Sequence, residues 1–273
     1  MDGPVSNPRK PNFTLPPGTC DTHCHVYGPG TRLPDCTSER LMALHRHIGV
    51  ERAVIVQANR SLRAATVAAV ASGGGRYRGV ALVDDEDSDA ELSRLHDAGF
   101  RGVRFTFTAN LGGAPDLMVV RRTLLRIKPM GWHVTFLLDP ADMLINLNLI
   151  HAITIPCVFD HMARINAAEG PDQAGFRAIL DLLKRGNFWV KLSGSDRISA
   201  TGAPFHDAVP YAKALIAAAP DRVIWGTDWP HPNNPYNPDD GDLVDLLPLI
   251  APDAAQRQKL LVDNPAHLYG FAR

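Results

Sequence analysis

Two histidines stand two residues apart in Asp21-Thr22-His23-Cys24-His25, at what reads as the end of a first strand. Alternate residues of a strand share a face, so His23 and His25 aim into one site. Far along the chain, Val223-Ile224-Trp225-Gly226-Thr227-Asp228-Trp229-Pro230-His231 ends another apolar strand on a lone carboxylate. Such imidazoles can bind a metal or donate to a carbonyl oxygen that gains charge, and the carboxylate can take a proton from water. The combination points to hydrolysis, with or without a metal. Asp228 sits among bulky apolar neighbours, which would raise its pKa and suit it to act as a general base. The alternative is a carboxylate that caps the following turn, although Pro230 has no N–H to cap.

His161 follows Val158-Phe159-Asp160 and joins the first two histidines as a candidate. Arg104, in Gly102-Val103-Arg104-Phe105, interrupts an apolar strand. A guanidinium there needs an anion, because an unpaired buried charge is very costly. An internal Asp or Glu would serve, and so would a substrate carboxylate. Arg164 and Arg197 carry the same two readings, with Asp196 a local partner for Arg197. Arg60 and Arg63 read as a solvated helix start. His45, His47 and His96 lie in helical stretches and read as surface residues. His133 opens a strand and faces the opposite rim, and His231 is a neighbour of the site. The Asn-Pro-rich loop from Pro232 to Pro238 is a plausible lid.

The elements that must position these groups alternate along the chain. Strand stretches fall at 19–26, 52–58, 77–83, 101–107, 132–138, 155–160, 188–193 and 222–227. Several are continuous β-branched runs, as expected of parallel strands covered on both faces. Amphipathic helical stretches fall at 38–48, 61–72, 88–98, 116–128, 140–151, 173–185 and 205–219, with 240–250 and 253–263 after the last strand. Eight such units predict an α/β fold, a single (β/α)8 TIM barrel over 18–273 behind an extended arm at 1–17. A doubly wound open sheet would want a Gly-rich phosphate turn, and none follows the first strand. On the barrel, His23, His25, Arg104, His161, Arg164, Arg197 and Asp228 all fall at C-terminal strand ends, the face where barrel enzymes keep their sites.

A net charge of -1 argues against nucleic acid or an anionic membrane as partner. No apolar run approaches the roughly 20 residues of a membrane helix. The arm, with Pro4, Pro8, Pro11, Pro16 and Pro17, has no apolar signal core, so a cytoplasmic protein is expected. Cys20, Cys24, Cys36 and Cys157 form no CxxC pair and read as reduced thiols.

At these residues the chain resembles the amidohydrolase superfamily, in its branch of 2-pyrone-4,6-dicarboxylate hydrolases and related lactonases. The resemblance runs over Asp21-x-His23-x-His25, Arg101-Gly102-Val103-Arg104-Phe105, Gly131-Trp132-His133-Val134, Asp160-His161-Met162, the Trp225-to-Asn233 stretch and Asn264-Pro265-Ala266-His267-Leu268-Tyr269-Gly270. It implies hydrolysis of an anionic cyclic ester, with Asp228 activating water and His23, His25 and His161 polarising the carbonyl. It further implies that Arg104, Arg164 and Arg197 hold substrate carboxylates, that no metal is required, and that the role lies in aromatic-compound degradation. A binuclear superfamily site needs a bridging residue at strand four and a histidine at strand five. Here those strands read Arg104-Phe105-Thr106-Phe107 and Val134-Thr135-Phe136-Leu137-Leu138. At most one zinc is then expected, on His23, His25 and Asp228, with His161 as a possible addition.

Two departures from the branch stand out. A second basic residue after the strand-four arginine gives way to Thr108-Ala109-Asn110, and a strand-five tyrosine gives way to Leu137. Arg60 or Arg63 could compensate for the lost anchor, although a solvated helix start is the favoured reading for both. The sequence therefore predicts a monomeric or small homo-oligomeric hydrolase of an anionic lactone, such as 2-pyrone-4,6-dicarboxylate or a muconolactone-type compound. The alternatives are a mononuclear zinc hydrolase or decarboxylase, a lactone isomerase and a binding protein.

Overall fold

Eight short parallel strands form one sheet in sequential order, each paired with the next. They are β1 (Cys20–Cys24), β2 (Arg52–Val56), β3 (Tyr77–Ala81), β4 (Phe100–Thr106), β5 (His133–Leu137), β6 (Cys157–Phe159), β7 (Phe188–Lys191) and β8 (Val223–Ile224). The structure, a computed structural model, describes residues 3–234 and 236–272. Met1 and Asp2 of the arm, Pro235 of the mouth loop and Arg273 lie outside the described residues.

The sheet closes on itself through the segment beyond β8. Thr22 N–H donates to the Trp225 carbonyl at 2.9 Å, Asp228 N–H to the His23 carbonyl at 2.8 Å, and His25 N–H to the Trp229 carbonyl at 2.8 Å. Gly226 permits this approach. A Cβ there would stand 2.6 Å from His23 N and 2.9 Å from His23 Cβ, closer than real contacts allow. The result is the α/β TIM barrel that the βα alternation implies.

Helices cover the outside, and their ends follow from local chemistry. Ser38–Ile48 begins on Thr37, whose hydroxyl accepts from Arg40 N–H, and stops at Gly49 with φ 92°. Ser88 caps Asp89–Asp97 by accepting from Glu91 N–H at 3.1 Å. Two expected helices are broken. The 140–151 stretch divides at Asn146 into Pro140–Ile145 and Leu147–His151. The 240–250 stretch divides at Leu246, where Pro248 cannot extend the hydrogen-bond ladder. The 205–219 stretch becomes a helix only at Val209–Ala218, with proline in its first turn.

Apolar burial lies mainly between strands and helices, and a smaller cluster joins Cys20, Val54, Val80, Val158, Trp189 and Ile224 to Tyr269 and Phe271. The terminal helix Asn264–Tyr269, not foreseen as an element, thus packs against the barrel. Tyr269 meets the ring of His133, the first residue of β5, edge-on at 5.1 Å. That end is therefore filled, and the opposite rim is left for the polar groups. Residues 3–17 carry no helix or strand; Arg9 of this arm pairs with Asp242 and Asp245. Among the described residues, no helix is long and apolar enough to cross a membrane.

Candidate active site

β1 delivers His23 and His25 to the C-terminal rim, with their Nε2 atoms 3.2 Å apart. The loop after β6 adds His161, whose ring centroid lies 4.6 Å from that of His23. Asp228 completes the cluster. Its Oδ1 lies 3.6, 3.7 and 3.8 Å from the Nε2 atoms of His23, His25 and His161. All four side chains are at least 95% buried. Oδ1 is buried without a hydrogen-bond partner, an arrangement that costs free energy unless something else meets it.

Each ring is oriented from behind. His25 Nδ1 lies 2.6 Å from the Val56 carbonyl, and His161 Nδ1 lies 2.9 Å from Ser193 Oγ. His23 Nδ1 lies 3.1 Å from Lys191 Nζ and 3.2 Å from Asp160 Oδ1. Outer partners of this kind fix where a ring nitrogen points. Backbone strain gathers on the same rim. His161, Met162, Ala163 and Arg164 run consecutively at φ 51–54°, and Asp228 lies at φ 68°. Such conformations cost about 1 kcal/mol or more each for residues with a side chain. Gly194, at φ 77°, leaves room for this turn, since a Cβ would come within 2.9 Å of His161 Cβ.

Charge is tightly paired. Burial would raise the Asp160 carboxyl, but Lys191, His23 and Arg104 together hold it well below the usual range. Arg104 donates from Nε to Asp160 Oδ2 at 2.9 Å, so the internal partner is realised while Arg104 still lines the cleft. Burial lowers His23 to about 4 against the pull of Asp160, and lowers His161 as well.

Several expectations change here. Burial does favour a raised carboxyl at Asp228, yet Arg197, helped by His161 and His25, holds it well below the usual range. Arg197 donates from Nε to Asp228 Oδ2 at 2.5 Å, and not to Asp196, which meets Asn234. Arg164 pairs with Asp139. Arg60 and Arg63 pair with Asp87 and do not reach the cleft. His45 is buried, with Nε2 3.2 Å from Asp21 Oδ2, because the first helix turns it under β1.

The cleft, a cavity of about 70 Å³, is lined by His25, Tyr27, Arg32, Arg104, His161, Arg164, Arg197 and Asp228, with Leu111, Leu137, Pro232 and Asn233. Arg32 was not anticipated, since it lies in a Gly-Pro loop with no strand to mark it. Its guanidinium donates to Asn233 Oδ1 at 2.8 Å and lies 5.8 Å from the Tyr27 ring centroid. Among the described residues it forms no ion pair, whereas the other three lining arginines each have a carboxylate. Lys191 and Asp160 were also missed. Lys191 breaks the apolar run Phe188-Trp189-Val190, the same signal that marked Arg104.

His23, His161 and Asp228 offer donors all within 4.8 Å of one another; His25, expected as a ligand where His161 was the addition, stands outside that group, with Nε2 3.2 Å from His23 Nε2 and 3.7 Å from Asp228 Oδ1. With the orphaned Oδ1 and ring nitrogens turned inward, this set fits one small divalent ion. Asp21, Cys24 and His45 form a second cluster. There Asp21 already accepts from His23 N–H, Thr227 N–H and the Thr227 hydroxyl, so it serves the seam.

Comparison with known proteins places this geometry among relatives. The model of the amidohydrolase family matches residues 20–271. A 2-pyrone-4,6-dicarboxylate hydrolase of Comamonas testosteroni is 42% identical, over 97% of this chain and 94% of its own. A 4-sulfomuconolactone hydrolase of Rhizobium radiobacter is 37% identical, over 98% and 95%. A solved apo structure from Agrobacterium tumefaciens is 30% identical and superposes with a TM-score of 0.83, covering 96% of this chain and 99% of that one.

Proposed function

The chain belongs to the amidohydrolase family, and on that premise we propose that it opens a carboxylated lactone, such as 2-pyrone-4,6-dicarboxylate or a muconolactone-type compound. The observation that carries this reading is the buried, partnerless Oδ1 of Asp228 facing three imidazoles beneath a cleft ringed by arginines.

Asp228 accepts a proton from water. Its depressed pKa keeps it ionised at neutral pH, and Arg197 on Oδ2 leaves Oδ1 to face the reacting centre. The water oxygen bonds to the ring carbonyl carbon, and charge gathers on the carbonyl oxygen. N–H groups of His23 and His161 stabilise that charge in a site shielded from water, with His25, whose own N–H is turned to the Val56 carbonyl, packed beside them. The ring C–O bond then breaks, and the proton on Asp228 passes to the leaving oxygen. The new acid ionises in solution, so turnover releases acid, unlike isomerisation.

Substrate carboxylates are held by Arg104, Arg164 and Arg197, and by Arg32, whose charge no carboxylate among the described residues offsets and which donates to Asn233 Oδ1. Arg32 takes the place that Arg60 and Arg63 do not fill.

On this reading the side chains suffice and no metal is required. The converging donors of His23, His161 and Asp228 favour a second reading in which these residues, with His25 beside them, hold one zinc ion. A bound ion would polarise the carbonyl and lower the pKa of a bound water.

The test is acid release from 2-pyrone-4,6-dicarboxylate and from mono-carboxylated lactones, followed by indicator on chelator-treated protein of verified metal content. Release by metal-free protein supports the first reading. Activity only on restoring zinc selects the second, and silence towards every carboxylated lactone overturns both.

A further inference from the structure

The hydrogen-bond polarity through the imidazole cluster can be traced from a group that has only one role. A backbone carbonyl accepts and never donates, so the Val56 oxygen, 2.6 Å from His25 Nδ1, requires a proton on that nitrogen. In the neutral ring, His25 Nε2 is then a lone pair. A hydrogen bond across the 3.2 Å between His23 Nε2 and His25 Nε2 then places the proton on His23 Nε2. That leaves His23 Nδ1 as an acceptor, and an ammonium, which can only donate, lies 3.1 Å from it on the fully buried Lys191. The direction is consistent at every step from Val56 to Lys191.

We infer that Lys191 is a positioning residue that holds His23 in its Nε2–H tautomer and opposes cation capture by the cluster. A cation on His23 Nε2 needs the other tautomer, with the proton on Nδ1 facing Asp160 Oδ1 at 3.2 Å. Lys191 blocks that arrangement in two ways. Its ammonium occupies the Nδ1 lone pair, and it also engages the Asp160 oxygen, at 3.2 Å, that would receive the Nδ1 proton. The cluster thus carries a resident positive group just behind the ring that a metal would need. This deepens the metal-independent reading above and does not depend on which lactone is the substrate.

The test needs no turnover. Long-range 15N–1H correlation on metal-free, 15N-labelled protein at pH 8 reports the tautomer of His23, identified by its absence from the His23→Gln spectrum. The expected wild-type pattern is a protonated Nε2 and a bare Nδ1, switching to Nδ1–H in Lys191→Met. Zinc affinity, measured by competition with a chromophoric chelator, is expected to rise about tenfold or more in Lys191→Met, with Lys191→Arg close to wild type. Deleting a positive charge by itself favours cation binding, so the tautomer is the deciding reading. A wild-type His23 protonated on Nδ1 overturns the inference, as does Nε2–H persisting in Lys191→Met or unchanged zinc affinity. If Lys191→Met does not fold, the wild-type spectrum alone still decides. A failure here leaves the lactonase reading to its own acid-release assay.

Discussion

Arg197 and Asp228 form a one-sided pair: the guanidinium takes Oδ2 at 2.5 Å, and Oδ1 is left facing three ring nitrogens. A buried carboxylate normally resists ionisation, and here its partner reverses that tendency. The same contact that sets the charge also sets which oxygen is available. Four predictions follow the consequences of this and of neighbouring contacts.

Replacing Asp228 by Asn keeps an acceptor for Arg197 and removes the group that takes the water proton. Turnover is expected to fall about 10²–10⁴-fold, while lactone affinity changes far less. Initial rates of acid release and calorimetric binding read the two effects separately. Near-normal turnover would remove Asp228 from the proton-accepting role.

Arg32→Met tests the arginine without a carboxylate. For a dicarboxylated lactone, KM should rise about tenfold, consistent with loss of one partly exposed charge contact. A mono-carboxylated lactone should show little change, and kcat should hold for both. An equal effect on both would show that Arg32 shapes the mouth without reading the second anion.

At Gly226, a methyl group would collide with the backbone of His23 across the barrel seam. Gly226→Ala is expected to lose about 1–3 kcal/mol in urea unfolding, with an unchanged slope. Unaltered stability would mean that the seam yields freely.

Acid should weaken the fold before the carboxylates are reached. Burial lowers His23 to about 4 and His133 to about 3, whereas an unfolded histidine titrates near 6.5. Between these values the unfolded chain binds protons that the folded chain refuses, so stability rises with pH across this window and is lost as pH falls through it. From pH 7 to 5, the unfolding free energy should drop by roughly 2–4 kcal/mol. Asp160 and Asp228 act in the same direction only at lower pH, because their folded pKa values are depressed. A flat profile between pH 7 and 5 would mean that these histidines are charged when folded.

Much of this architecture is legible in the chain itself. Runs such as Val54-Ile55-Val56 mark strands covered on both faces, and Thr37 and Gly49 bound the first helix almost to the residue. The break at Asn146 is not legible, because amphipathic spacing continues across it, whereas Pro248 signals the one at Leu246 against that spacing. At the site, residue types and rim positions could be read, but pairing could not. Arg197 and Asp228 lie 31 residues apart and Arg104 and Asp160 lie 56 apart, so only the closed barrel decides which carboxylate each guanidinium meets. Arg32 lies on a loop, where no period exists to place it.

The seam between β1 and the segment after β8 also bears on how the protein matures. Thr22 bonds to Trp225 across 203 residues of chain, and the backbone of Asp228 is fastened to that of His23. Long-range closure of this kind is entropically slow to form. The helices and the inner ladders can form while the two halves of the reacting cluster are still apart. Catalytic competence is therefore the last property to return on refolding, lagging the recovery of helical signal, and a chain arrested just short of closure would be nearly native in content and inert in chemistry.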